Sequence, residues 1–317
     1  MLLLLLGCPN KEVVVDDSNE AEPWDLPASG FGDAMLLSAW SRGSEMLVVG
    51  GDLGEGGHGD LVHVYEGELC IEHAVAEAPL WWIHGQDQDF WAVGAQGTVL
   101  REVGGERSRL DIETDKTLYG VYDDGSHAWV VGGNPDEGTG ALWRSDGEGG
   151  WELMLETEGV LFKVYGEHVI GDGQSWLIQG DELVEVGTQH RLVTVRGDGT
   201  TTTAVGGSSN ALVVEWSGSD WVEKDASRLN GALNGVWTGA GETVWVAGNA
   251  GVMGRRSDDG SWEVPDFPLT SDAFHAVWKH EGEIWWVGGS FFSPPYHGTL
   301  GRYSEDPSPL MVVGDCD

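Results

Sequence analysis

Seven short apolar runs share one register along the chain: LLSAW (36–40), LWWIH (80–84), LYGVY (118–122), LFKVY (161–165), LVTVR (192–196), LNGVW (233–237) and FHAVW (274–278). Each precedes a second run that ends in an aliphatic-Gly pair: Val49-Gly50, Val93-Gly94, Val131-Gly132, Ile170-Gly171, Val205-Gly206, Ala247-Gly248 and Val287-Gly288. The glycines are 44, 38, 39, 35, 42 and 40 residues apart. Three positions before the glycine stands Trp91, Trp129, Trp245 or Trp285 in four copies, replaced by Leu47, His168 and Thr203 in the others. Downstream, four copies carry Gly-x-x-x-Arg: Gly97/Arg101, Gly140/Arg144, Gly251/Arg255 and Gly298/Arg302. A tryptophan after a Gly/Asp turn closes several copies, as Trp151, Trp221 and Trp262 do.

No helical period runs through these units; each holds four β-type runs separated by turns. A four-stranded unit repeated at about 40 residues predicts the blade of a β-propeller. Inner strands of such a blade are covered on both faces, so they should be apolar at both parities, as LNGVW and VWVAG are. The expected fold is all-β: a seven-bladed β-propeller of four-stranded antiparallel blades. Trp221→Leu233, Trp262→Phe274 and Trp24→Leu36 are all steps of 12 residues. Trp24-Asp25-Leu26 therefore reads as an outer strand lacking inner strands of its own, while the last copy has no such strand after Arg302. An N-terminal strand pairing with the last blade would close the ring and leave no blade face wet.

The copy LNGVWTGAGETVWVAGNAGVMGRRSDDGSW (233–262) resembles the repeat of bacterial exported propellers grouped with the BNR/Asp-box and photosystem II assembly-factor-like propellers. The resemblance spans residues 24–303 and implies fold rather than activity, since that broad group includes binding platforms, assembly factors and glycosidases. Copy 4 departs from the pattern by a shortened loop before Gly171, and copy 5 has Thr203 in place of tryptophan. Ser145-Asp146-Gly147 and Ser257-Asp258-Asp259-Gly260 resemble shortened Asp-boxes, whose Ser/Asp turn bonds its own backbone. A sialidase would need three converging arginines and a Tyr nucleophile with its acidic partner. Here the arginines recur at one equivalent position per blade, which makes them structural.

Composition adds a cellular address. Among 317 residues, 53 Asp+Glu face 16 Lys+Arg, for a net charge of −37, which excludes a nucleic-acid binder because phosphate demands a basic face. Residues 1–8, MLLLLLGC, resemble a lipoprotein signal ending at a lipobox with Cys8 as the acylated residue. The run is shorter than an export signal and carries no basic residue, so either a start lies further upstream or the motif is fortuitous on a cytosolic chain. Residues 9–22 are polar and acidic and read as a flexible tether, with the propeller and a C-terminal tail filling 23–317. With Cys8 lipidated, Cys70 and Cys316 form an even pair, expected as a disulfide in an oxidising compartment. The expected location is the cell envelope, periplasmic or outer surface, with the membrane touched only through the lipid.

Catalytic residues are expected to be none, since no nucleophile elbow or triad can be argued. His58 and His63 are the closest pair of histidines in their loop but match no zinc spacing, so no metal site is expected. Asp52, Glu55, Asp136 and Glu137 are calcium-type ligands in Gly-rich loops, yet they fit neither the EF-hand nor the nonapeptide spacing. No cofactor is expected, calcium being the one the loops leave open. The loops after the Val-Gly pair are long in copy 1 (51–59, with Asp52, Glu55 and His58), copy 3 (133–140, with Asn134, Asp136 and Glu137) and copy 7 (289–298). The last carries Phe291, Phe292, Tyr296 and His297 beside two prolines, a recognition surface or a plug for the central channel. Copies 7 and 1 adjoin in a closed ring, so their loops are the expected patch. The reading is a monomeric, non-enzymatic platform for an unidentified protein or glycan; a carbohydrate-active hydrolase or lyase is the alternative.

Overall fold

The computed structural model describes residues 23–147, 149–291 and 294–316. The expected lipid anchor at Cys8, the tether and Phe292 lie outside the described residues. None of the described residues is helical, and no helix is long and apolar enough to cross a membrane.

The strands form seven sheets, each built of four antiparallel strands running outward from an innermost strand that carries one of the seven apolar runs. Blades 1 to 6 start at Met35, Leu80, Thr117, Leu161, Leu192 and Leu233, and blade 7 at Ala273. Each innermost strand packs against those of both neighbours, and blade 7 meets blade 1, which closes the ring. Second strands are buried at both parities: every residue from Met46 to Gly51 is buried, as is all of Trp245–Gly248.

Each innermost strand carries a bulge at the same place. Pairing skips one residue after the first, as between Leu118 and Gly120 or Phe274 and Ala276. The bulge drives a carbonyl onto the second strand, and there the recurring glycine sits. A Cβ on Gly248 would lie 2.6 Å from the Ala232 carbonyl oxygen, and the other six glycines are closer still to theirs. The glycines thus answer a local bulge, not the narrowing of the wedge towards the axis.

The two tryptophan and arginine motifs are halves of one contact. Trp91 faces Arg101, Trp129 faces Arg144, Trp245 faces Arg255 and Trp285 faces Arg302 across neighbouring strands. Each guanidinium stands over its indole, at 4.4, 5.6, 5.5 and 5.4 Å from the ring centre. Such contacts stabilise by about 0.5–1 kcal/mol at exposed sites and more when dry. The turn carboxylate of Asp146 accepts the Gly150 amide at 2.8 Å, and that of Asp259 accepts the Ser261 amide at 2.9 Å, so these turns serve the backbone.

Strand Trp24–Phe31 pairs antiparallel with Gly298–Tyr303 and supplies the fourth strand of blade 7. Trp24 packs on Tyr303, Trp286 and Trp245, with centroids 4.9, 5.4 and 6.0 Å away. Arg302 donates two bonds to the Asp25 carboxylate, at 3.0 and 2.6 Å. The far end of the chain adds a strand that the repeat pattern does not contain. Met311–Asp315 lies parallel to Glu68–Ala76 and makes blade 1 five-stranded. Cys70 and Cys316 are joined there by a disulfide with Cα atoms 5.0 Å apart.

Candidate binding site

The residue left unpaired by each bulge is free of the ladder and is available to line the channel. Those residues are Leu37, Trp81, Tyr119, Phe162, Val193, Asn234 and His275. Six of them line a cavity of about 520 Å³ at the face where the innermost strands begin, while Leu37 is fully buried. Blades 2 to 4 supply the aromatic half and blades 5 to 7 the more polar half. Trp81 stands edge-on to Tyr119 at 5.1 Å, and Tyr119 lies 5.6 Å from Phe162.

One residue further in, blade 4 places Lys163 where other blades have Ser38, Trp82, Gly120, Thr194, Gly235 and Ala276. Its Nζ donates to the Tyr119 carbonyl at 2.7 Å and stands 3.2 Å over the Trp82 ring. Lys163 is 3% exposed, and among the described residues no carboxylate lies within ion-pair distance of it. Burial pushes its ammonium well below the usual lysine range. Below this floor the channel holds only about 10 Å³ of space, so the cavity is blind. Arg196 fills the waist, over Trp278 at 4.3 Å and Tyr165 at 5.1 Å.

At the rim, the Arg191 guanidinium stacks 4.7 Å over Phe162 and lies 3.3 Å from Asp172. Asp172 is the one carboxylate lining the cavity among the described residues. His275 shares a hydrogen bond with the Leu37 carbonyl through Nδ1 at 2.8 Å. Burial, with Lys163 adding to it, lowers its pKa to about 4, so the imidazole is neutral at pH 7. Asn234 donates to Asn249 at 2.9 Å and to the Phe274 carbonyl at 3.0 Å, which fixes two amides on the polar side.

Phe291 brings the copy 7 loop to the mouth, edge-on to Trp81 at 6.2 Å and stacked along His275 at 6.3 Å. Phe291 forms one wall of the cavity mouth. Further along the loop Tyr296 is half-buried, and His297 is tied to Asp272 at 3.0 Å. The copy 1 loop does not join this patch. The Asp52 amide bonds the His58 carbonyl, the Gly57 amide bonds that of Gly54, and the Asp52 carboxylate takes the Gly54 amide. Closed on itself, that loop keeps Asp52 and Glu55 away from the mouth, which instead takes Pro135 and Gly138 from copy 3. In that loop Asn134 caps the amides of Asp136 and Glu137, both exposed. None of the four calcium-type acids belongs to a cluster of three ligand groups among the described residues.

The run LWWIH hid Trp81 among core positions, because a bulge cannot be seen in an apolar run. The lysine in LFKVY was the visible signal: a charge inside an otherwise buried strand.

No protein-family model matches the chain, and no curated protein matches it in sequence. Solved structures do match in shape. Virginiamycin B lyase from Staphylococcus aureus superposes with a TM-score of 0.70 at 13% identity, over 88% of this chain and 98% of that one. YCF48 from Cyanidioschyzon merolae gives 0.63 at 14% identity, over 88% and 98%. The extracellular domain of a hybrid two-component system from B. thetaiotaomicron gives 0.66 at 11% identity, over 90% of this chain and 41% of that one. The chain shares their fold. A lyase, YCF48 and a sensor ectodomain on one architecture leave function to be argued from the site.

Proposed function

We propose that this chain is a non-enzymatic binding platform held at the bacterial cell envelope, as a monomer, by lipid on Cys8, and that it takes an acidic glycan into the channel mouth. The observation that carries this reading is a blind, half-aromatic cavity with Lys163 at its floor and Arg191 at its rim, in a chain of net charge −37. Rings stack on sugar faces, planar amides and a guanidinium match hydroxyl and carboxylate groups, and a volume of this size suits a short saccharide. An incoming carboxylate gives Lys163 the counter-charge that the fold withholds. The disulfide between Cys70 and Cys316 supports an exported location, because such bonds persist in oxidising compartments. A glycosidase reading fares worse: the two-carboxyl chemistry finds only Asp172 lining the cavity among the described residues, and the sialidase type finds only Arg191 where three converging arginines are needed.

The test is a tryptophan-fluorescence titration with matched neutral and uronic-acid oligosaccharides. Acidic saccharides should bind, with affinity falling at least tenfold in Trp81→Ala and in Lys163→Met. Equal binding of neutral and acidic sugars, or no effect of either substitution, would overturn the reading. Labelling with a fatty-acid analogue in a bacterial host should mark the native chain and leave Cys8→Ala unmarked.

A further inference from the structure

Blade 1 carries a second group of chemistry-bearing residues, remote from the channel. His58 and Asp60 flank Gly59 at the start of strand Gly59–Tyr65, and His73 comes from the neighbouring strand Glu68–Ala76. The pairing skips from Gly59–Ala76 to Leu61–Glu72, and Ala74, a non-glycine residue, takes a φ of 54° in the extra length. That irregularity puts His73 beside Asp60. His58 Nε2 lies 3.1 Å from Asp60 Oδ1, and His73 Nδ1 lies 3.3 Å from Oδ2. The three donor atoms all fall within 4.8 Å of one another.

The geometry points to a zinc-type divalent metal site formed by His58 Nε2, Asp60 and His73 Nδ1, with its remaining coordination position open to solvent. Two imidazoles and one carboxylate are a borderline-soft donor set that suits Zn²⁺ and disfavours Ca²⁺ and Mg²⁺. Ligands about 2.0–2.1 Å from a tetrahedral ion sit roughly 3.3 Å apart, the spacing already present on both sides of Asp60. Asp60 is 2% exposed, and its charge has no Lys or Arg partner among the described residues. The Ala74 amide, 2.9 Å from Oδ1, satisfies one lone pair but not the charge. An anchor for that turn explains Asp60 alone; it does not explain two imidazoles converging on the same carboxylate, one from the preceding loop and one from the neighbouring strand.

A fourth residue sits where an outer partner of a metal-bound histidine belongs. His73 Nε2, the nitrogen facing away from Asp60, lies 3.5 Å from Asp315 Oδ1. Carboxylates in that place fix the ring and raise its basicity. Asp315 belongs to the parallel C-terminal strand and adjoins the disulfide-bonded Cys316, so the ion would tie the tail to both strands of the hairpin. His58 and His73 side chains are 38% and 41% exposed, which leaves the ion a path in.

The full chain, stripped with a chelator and dialysed, should take up one equivalent of Co²⁺ with the ligand-field absorption of a tetrahedral N/O site, displaced by Zn²⁺. His58→Ala and His73→Ala should each weaken zinc at least tenfold, and Asp315→Asn by about 10-fold. His63→Ala is the control, since His63 bonds Glu45 at 2.6 Å and should leave zinc affinity unchanged. Apo circular dichroism of each variant separates lost binding from lost fold. An octahedral cobalt spectrum, or uptake that survives both histidine substitutions, would mean adventitious binding to the acidic surface and would overturn the site.

Discussion

The closing strand is clasped by an ion pair 277 positions apart, Asp25 and Arg302, and the strength of that clasp can be worked from its burial. The Arg302 side chain is 5% exposed and that of Asp25 35%. Removing one partner of a fully buried pair typically costs about 3–5 kcal/mol, because the survivor keeps a buried, uncompensated charge. In Asp25→Ala, Arg302 would keep the Ser308 carbonyl at 2.6 Å and Glu283 at 3.9 Å, and Asp25 itself is a third open to water. Both facts reduce the loss to roughly 2–3 kcal/mol. The pair Arg109–Glu77 is the internal control, with the same chemistry at 2.8 Å but with Glu77 84% exposed. Glu77→Ala should cost less than about 0.5 kcal/mol. Urea unfolding at constant slope measures both, and hydrogen exchange should show strand 24–31 losing protection first in Asp25→Ala. If Asp25→Ala costs no more than Glu77→Ala, the clasp contributes nothing and the closing strand is held by its backbone ladder and the Trp24 cluster.

Three further outcomes are expected. Gly248→Ala should destabilise by about 1–3 kcal/mol or more in urea, since its Cβ meets a carbonyl oxygen of the inner-strand bulge that cannot withdraw. Lys163→Met should leave thermal stability equal or raise it, while removing the acidic-saccharide affinity; a large loss of stability would make Lys163 structural. His168, which is buried, and His84 and His275, which are half-buried, have pKa values lowered to about 4, 3 and 4, chiefly by desolvation, so as pH falls below 6.5 the unfolded chain binds protons that the folded chain refuses. Stability should fall between pH 6.5 and 5, and His168→Leu, which copies Leu47 of blade 1, should lessen that slope by up to about 1.4 kcal/mol per pH unit.

Blade number, strand order and closure were legible because they follow from spacing: the 12-residue step from Trp24 to Leu36 is enough to assign the N-terminal strand to blade 7. The Trp and Arg motifs were each visible, but their contact depends on cross-strand register, which a one-dimensional pattern does not contain. Trp81, Tyr119 and Phe162 read as core because an apolar run looks the same with or without a bulge. His73 is 15 residues from His58 with no short C-x-x-C or H-x-x-x-H signature to link them, and it is the extra length around Ala74 that places His73 beside Asp60. The C-terminal strand had no repeat to betray it; Cys316 alone marked where it would dock.

The bulge is what lets a repeated scaffold hold one specific site. Its glycine, carbonyl and flanking aliphatics are fixed by packing in all seven blades, but the residue that it expels from the ladder meets no such demand. Six of these positions face the cavity rather than the core and divide into an aromatic arc and a more polar arc, while Leu37 of blade 1 is buried. Lys163 repeats the logic one position deeper, in blade 4 alone. The proposed acidic ligand must first approach through the field of a strongly negative chain, so Arg191, and Lys163 once a carboxylate meets it, would confer selectivity at close range rather than attraction from afar. Recognition at such a site depends on fit to the two arcs, because the long-range charge opposes the ligand until it is within contact of Arg191 and Lys163.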